Sequence, residues 1–285
     1  MQLFHTIQDV RDYVRTQKAL GRSVALVPTM GALHEGHLTL IRTAKSQCDV
    51  VIVSVFVNPT QFGPNEDYDA YPRTLEADCT NAEKAGASAV FAPSPTEMYP
   101  DGFATTVTVS GITDLLCGAQ RPGHFAGVAL VVTKLFNIVQ PDRAFFGQKD
   151  AQQVLVIRRF TADLNIPVEI VTVPIVRDEN GLALSSRNQY LSAEEKAAAL
   201  VLSRSLKIAE EAVRQGEVRT SILTDLVVRT IEAEPLATID YVHIYAYPSL
   251  DVTDTIEPSA LLALAVRIGA TRLIDNTILE VSTCS

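Results

Sequence analysis

The chain has 285 residues, 47% hydrophobic and 20% charged, with a formal net charge of −9. That length fits one large domain or two ordinary ones, each able to bury a core. The acidic balance and the lack of a basic stripe argue against a nucleic-acid partner held mainly through its phosphates.

The first two-thirds of the sequence alternates strand-like and helix-like segments. Thr6 and Asp9 resemble a capping pair, with Ile7, Val10 and Val14 as the buried face of a helix. Strands are predicted at Val24–Val27, Val50–Val57, Ala89–Ala92, Thr105–Val109, Ala144–Phe146 and Val168–Val173. Several are continuous β-branched runs, the pattern of a parallel sheet covered on both faces. Helices are predicted between them at His37–Ser46, Leu75–Ala85, Val128–Ile138 and Asp150–Leu164. This order predicts an α/β, Rossmann-like doubly wound parallel sheet over residues 1–176. Residues 177–285 read as a smaller α+β C-terminal domain. There, Ser192 and Glu195 form a capping box opening a helix to Gln215, and a second helix runs from Ser221 to Glu234. Strands follow at Ile239–Tyr245, Leu261–Ile268 and Arg272–Asp275.

Ligands of doubly wound sheets sit beyond the carboxyl ends of the strands. That rule selects four loops. The first, Pro28-Thr29-Met30-Gly31-Ala32-Leu33-His34-Glu35-Gly36-His37, joins a strand to a helix entry and aims backbone N–H groups and a helix dipole at a phosphate. Gly36 allows close backbone approach, and His34 and His37 can donate to charge building on phosphorus. The second, Asn58-Pro59-Thr60-Gln61-Phe62-Gly63, offers neutral amides suited to hydroxyls and a carboxylate, although Asn-Pro alone is a common strand-end turn. In the third, Gly147-Gln148-Lys149-Asp150, a cation sits where a helix N-terminus gains nothing from one unless an anion is present; Gln153 lies one turn further on. In the fourth, Asn180-Gly181 makes a turn before Ser185, Ser186 and Arg187, two hydroxyls and a planar cation suited to phosphate. Arg121-Pro122-Gly123-His124-Phe125 is a further segment with a cation and a histidine. Cys48, Cys79, Cys117 and Cys284 make no C-x-x-C pair, so reduced thiols are expected, without a zinc site or disulfide framework.

Taken in order, P-T-M-G-A-L-H-E-G-H, N-P-T-Q-F-G, Y-P-R-T, R-P-G-H-F, F-G-Q-K-D-x-Q-Q and L-S-S-R-N resemble the pantothenate synthetase (pantoate–β-alanine ligase) family. The resemblance is dense from about residue 24 to 190. It implies a two-step reaction with ATP and Mg²⁺: pantoate attacks the α-phosphorus to give pantoyl adenylate and pyrophosphate, then β-alanine displaces AMP. It implies that His34, His37, Lys149 and Arg187 act in catalysis. Met30, Gly31, Ala32, Leu33, His34, Glu35, Gly36 and His37 would bind ATP, together with Gly147, Gln148, Lys149, Asp150, Val176, Leu184, Ser185, Ser186 and Arg187. Gln61, Gln153 and Asn58 would bind pantoate and β-alanine. Mg²⁺ is expected on the ATP phosphates with no protein ligand, and Asp78 at most in its outer shell. The resemblance further implies a homodimer, and residues 177–285 are expected to act as a lid.

Two other readings share parts of the pattern: another H-x-G-H nucleotidyltransferase, and a non-catalytic nucleotide-binding protein. A tRNA synthetase fragment is disfavoured by the acidic balance. No apolar run reaches bilayer length, and the amino terminus lacks a basic-then-apolar signal pattern, so the expected location is the cytoplasm with no membrane partner.

Overall fold

The computed structural model describes residues 1–64 and 66–281. Cys284 lies outside the described residues; Cys48, Cys79 and Cys117 are free thiols. The chain divides into two compact units, one of residues 1–148 and 152–174, the other of Lys149–Ala151 and the chain from Ile175 onward. Among the described residues no helix is long and apolar enough to cross a membrane.

The first unit is built on a parallel sheet. Its strands are β1 (Gln2–Phe4), β2 (Val24–Thr29), β3 (Val50–Val55), β4 (Ala89–Phe91), β5 (Arg143–Gly147) and β6 (Glu169–Val173), in the order β1-β4-β3-β2-β5-β6. The main helices are α1 (Ile7–Ala19), α2 (Glu35–Gln47), α3 (Leu75–Ala85), α6 (His124–Val139) and α7 (Ala151–Asp163), with short α4 (Pro95–Met98) and α5 (Leu116–Gln120) between α3 and α6. The valine-rich runs predicted as strands are apolar on both faces because helices cover both. Leu26, Ile52 and Phe91 pack with Val10, Val14, Val128 and Phe136 of α1 and α6. On the opposite face Ala25, Val27, Val51 and Val53 pack with Ile41, Ala44 and Ala82 of α2 and α3. Strand order reverses between β2 and β5, which makes the loops at their carboxyl ends the expected ligand crevice. The ladder favours an opening there. β2 pairs with β3 from Val24 to Thr29 but with β5 only at Ala25 and Leu26, so the carboxyl halves of β2 and β5 are not bonded to each other.

The second unit packs α8 (Ala193–Arg214) and α9 (Thr220–Glu232) on an antiparallel sheet of β7 (Ala237–Ala246), β8 (Ser259–Ile268) and β9 (Thr271–Glu280), with β8 central. Leu202, Leu206, Leu223 and Ile231 of the helices meet Leu262, Leu264 and Val266 of β8. The predicted capping box at Ser192 and Glu195 is present.

Three features differ from the sequence reading. Thr105–Val109 is not a strand: its valines pack against the core, but β1, too short to stand out in the sequence, occupies the sheet edge next to β4. Asp150 closes a 3₁₀ turn (Gln148–Asp150), and α7 begins only at Ala151. β9 runs past Asp275 to Glu280, because pairing with β8 continues through Asn276 and Thr277, which interrupt the apolar alternation.

Ser192 Oγ accepts from Glu195 N at 3.2 Å, and Glu195 Oε2 accepts from Ser192 N at 2.8 Å. Ser192→Ala is therefore expected to lower stability by about 1 kcal/mol in urea denaturation. No measurable change would mean the box does not hold the start of α8.

Candidate active site

The β2–α2 loop takes its shape from backbone that ordinary residues avoid. Gly31 has φ +88° and Ala32 φ +51°, two successive left-handed residues that follow the strand end after one intervening residue, Met30. A Cβ at Gly31 would stand 3.0 Å from Asp78 Oδ2 and 3.1 Å from Val55 Cγ1, so glycine is favoured by the tight fit as well as by the dihedral angle. Asp78, in the first turn of α3 and 1% exposed, holds the turned backbone. Its Oδ2 accepts from Ala32 N at 3.1 Å and from Thr74 Oγ1 at 3.2 Å, and its Oδ1 accepts from Leu33 N at 2.7 Å. On the strand side, Thr29 Oγ1 donates to Ser54 O and accepts from Gly31 N. Asp78 is thus a structural anchor of the loop, with both carboxylate oxygens bonded to it or to Thr74.

The anchored loop delivers the two histidines to the start of α2. His34 is the N-cap residue, and its Nδ1 accepts from Gly36 N at 3.2 Å; His37 Nδ1 accepts from His34 N at 3.4 Å. The ring centroids are 4.1 Å apart. Because each Nδ1 is an acceptor, the proton of each neutral ring sits on Nε2. Two imidazole donors thus stand at the positive end of a helix dipole. Glu35, on the same turn, is ion-paired with Arg42 on the outer face of α2.

Beside this loop, at the end of β3, lies the Asn58–Gln61 turn. Asn58 is 1% exposed. Its Nδ2 donates to Gln61 Oε1 and to Gly127 O, both at 3.1 Å. Its Oδ1 accepts from Thr60 Oγ1 at 3.0 Å and from Tyr99 Oη at 2.8 Å. Burial pushes the Tyr99 phenol above its ordinary range, with the Thr60 hydrogen bond opposing, so the hydroxyl remains a donor. Asn58 therefore uses both amide protons and its carbonyl within the protein. These bonds make Asn58 a support of the Gln61 side chain within the turn. Gln61 Nε2 reaches Met30 Sδ at 3.0 Å, bringing the β2 and β3 loops together. Gly127 was missed in the sequence. A Cβ there would lie 2.3 Å from Thr60 O and 2.6 Å from Gln61 Cα, so α6 can meet this turn only at a glycine. A glycine inside an otherwise apolar helix was the available signal.

At the end of β5, a Cβ on Gly147 would meet nothing within 4 Å, which leaves open space at the carboxyl edge of the strand. On α7, Gln152 is consumed by the fold, donating to Ile112 O and Leu115 O and accepting from Cys117 N. Gln153 makes no side-chain hydrogen bond to a described residue, so of the two glutamines it is the one available to a ligand.

The remaining expected residues belong to the second unit. Lys149 O accepts from Asn276 Nδ2 of β9 at 2.9 Å, and Lys149 Nζ stands 3.9 Å from Asp150 Oδ1. Val176 and Leu184 are joined by a backbone hydrogen bond across the Asn180-Gly181 turn, where Gly181 has φ +102°. Arg177 grips Asp275, 2% exposed, through two hydrogen bonds of 2.6 and 2.9 Å, and this ties the turn to β9. Ser185 Oγ accepts from Arg187 N and caps the 3₁₀ turn Ser186–Tyr190 that carries Ser186 and Arg187. Among the described residues, no group of three or more His, Cys, Asp or Glu is arranged to hold a metal ion.

Asp78→Asn turns one acceptor into a donor that faces a loop N–H. It is expected to lower stability by about 1–3 kcal/mol, read by chemical denaturation. Unchanged stability would mean that the loop keeps its shape without the carboxylate.

The chain is similar to known proteins over nearly its whole length. The family model described as pantoate-beta-alanine ligase matches residues 2–278. The pantothenate synthetase of Pelotomaculum thermopropionicum is 61% identical over 98% of this chain and 99% of its own. That of Acetivibrio thermocellus is 56% identical over 99% and 100%. Among solved structures, the pantothenate synthetase of Thermus thermophilus superposes with a TM-score of 0.93 at 46% identity, covering 97% of this chain and 99% of that one. The pantoate-beta-alanine ligase of Francisella tularensis, solved with beta-gamma ATP and beta-alanine bound, gives a TM-score of 0.78 at 34% identity over 98% and 97%. With a match of this extent and its loop residues in these positions, the chain belongs to the pantoate–β-alanine ligase family.

Proposed function

We propose that this enzyme joins pantoate to β-alanine through a pantoyl adenylate. The observation that carries the proposal is the anchored β2–α2 loop, which presents two imidazole Nε2 donors at a helix N-terminus. A carboxylate is already a nucleophile, so the first step requires alignment and charge stabilisation rather than a general base. A pantoate carboxylate oxygen bonds to the α-phosphorus, the bond from that phosphorus to the bridging oxygen breaks, and pyrophosphate leaves with the electron pair. The amine of β-alanine, as free base, then attacks the acyl carbon; the acyl–oxygen bond breaks, AMP leaves, and the amine proton passes to solvent.

In this reading His34 and His37 hold phosphate oxygens as charge grows, with His37 the principal donor. Lys149 neutralises charge near the α-phosphate, while Ser185, Ser186 and Arg187 bind the β and γ groups. Met30 to His37, Gly147, Gln148, Asp150, Val176 and Leu184 line the nucleotide, and Gln61 and Gln153 hold the two acids. Mg²⁺ enters as part of the nucleotide substrate, in keeping with the described residues holding no group of three or more His, Cys, Asp or Glu arranged for a metal ion. The second unit is proposed to act as a lid. Residence in the cytoplasm belongs to the same reading.

Nucleotide analysis with ATP, Mg²⁺ and the two acids is expected to give AMP and pyrophosphate only when both acids are present; ADP as product would exclude an adenylate. His37→Ala and Lys149→Ala are each expected to slow adenylation by about 10²–10³ while circular dichroism stays unchanged. Wild-type adenylation by folded Lys149→Ala would remove Lys149 from this role. For the proposed homodimer, residues 104–108 offer backbone that bonds to no described residue. Such unpaired backbone is open to a second copy across a two-fold axis. Light scattering should then return twice the 30.9 kDa chain mass, and a monomer would contradict it.

A further inference from the structure

Gln61 is held from a second direction, through its main chain. Arg121 Nη2 donates to Gln61 O at 3.4 Å, and His124 Nδ1 lies 2.9 Å from the same oxygen. Arg121 Nη1 lies 3.1 Å from His124 Nε2. A guanidinium cannot accept and a carbonyl cannot donate, so Nε2 accepts from Arg121 and Nδ1 donates to Gln61. The two neighbours thereby fix His124 as one neutral tautomer, the opposite of the one assigned to His34 and His37.

Arg121 is itself fixed. Its Nε donates to Glu66 Oε1 at 2.6 Å, and its Nη2 donates to Glu66 Oε2, a bidentate pair with set orientation. Burial pushes the Glu66 carboxyl up, but the Arg121 hydrogen bonds and charge outweigh it, leaving it below the ordinary glutamate range. A depressed carboxyl of this kind loses its partner only as pH falls through the lowered value, so the pair is intact at neutral pH.

We propose that Glu66, Arg121 and His124 are positioning residues for the condensation: Glu66 orients Arg121, Arg121 sets the His124 tautomer, and His124 pins the carbonyl of Gln61. The side chain of Gln61 is thereby aimed, with Asn58 and Gly127 supporting the other side of the turn. This rests on the assignment of Gln61 to the acid substrates. It gives the R-P-G-H-F segment a function without substrate contact.

The test is steady-state kinetics with each of the three substrates varied, on wild type, Gln61→Ala, Glu66→Gln, His124→Ala and His124→Asn, with folding followed by circular dichroism. Glu66→Gln and His124→Ala are expected to raise KM for pantoate about tenfold, the worth of one hydrogen bond, with KM for ATP unchanged. His124→Asn, whose amide Nδ2 can stand near the lost ring Nδ1, is expected to recover most of the loss. If Gln61→Ala raises KM for pantoate while Glu66→Gln and His124→Ala do not, the relay is wrong. An equal rise for all three substrates with no recovery in His124→Asn would mark a merely structural role and also overturn it. If Gln61→Ala itself leaves KM for both acids unchanged, the assignment of Gln61 fails instead.

Discussion

The grip of Asp78 on the amides of Ala32 and Leu33 is the contact on which the first unit's site depends. Two residues in succession, Gly31 and Ala32, hold positive φ just beyond the end of a buried strand, and such backbone persists only where its surroundings over-determine it. Asp78 supplies that constraint from α3, a helix distant in sequence but adjacent across the sheet face. The turned amides would otherwise be buried donors without acceptors, each carrying a penalty of about 1–3 kcal/mol. With them satisfied, the chain enters α2 with His34 as N-cap and His37 one turn on, their rings against one another and each Nδ1 committed to backbone. The chemistry ascribed to the imidazoles follows from what Asp78 does to a strand end.

The second unit solves a similar problem with a different device. Its phosphate-binding candidates follow the Asn180-Gly181 turn, and a turn of that type has little stiffness of its own. Partly exposed Arg177 and buried Asp275 supply it, as a bidentate pair between the turn and β9. Removing Arg177 would leave the buried Asp275 carboxylate without its cation, so the pair fixes one conformation whatever its net contribution to stability. Asn276, next along β9, holds the backbone of Lys149. Neighbouring residues of one strand thus constrain both the lysine and the turn that precedes the serines.

The fold was legible where apolar pattern decides it. The valine runs at Val24 and Val50 could only be strands covered on both faces, and Leu75–Ala85 was bounded by its own composition and Gly86. The pattern failed where pairing, not burial, decides. Thr105–Val109 has strand composition but no neighbour to pair with, whereas the three residues of β1 have a neighbour and little pattern. The loops of the site were legible as glycine-containing turns at strand ends. Their internal division of labour was not. Gln152 and Gln153 look alike in sequence, and only hydrogen bonds to Ile112, Leu115 and Cys117 separate the member used by the fold from its neighbour. Asp78 and Glu66 were hidden for the same reason: a carboxylate that binds backbone or arginine carries no local signature.

The most direct test of the account follows an oxygen atom. Pantoate labelled with ¹⁸O in its carboxylate, incubated with ATP, Mg²⁺ and β-alanine, should transfer one labelled oxygen to the phosphate of AMP, because a carboxylate oxygen becomes the bridge to the α-phosphorus and leaves with it. Label recovered in inorganic phosphate, or AMP formed without label, would contradict an adenylate and with it the role assigned to the histidine loop.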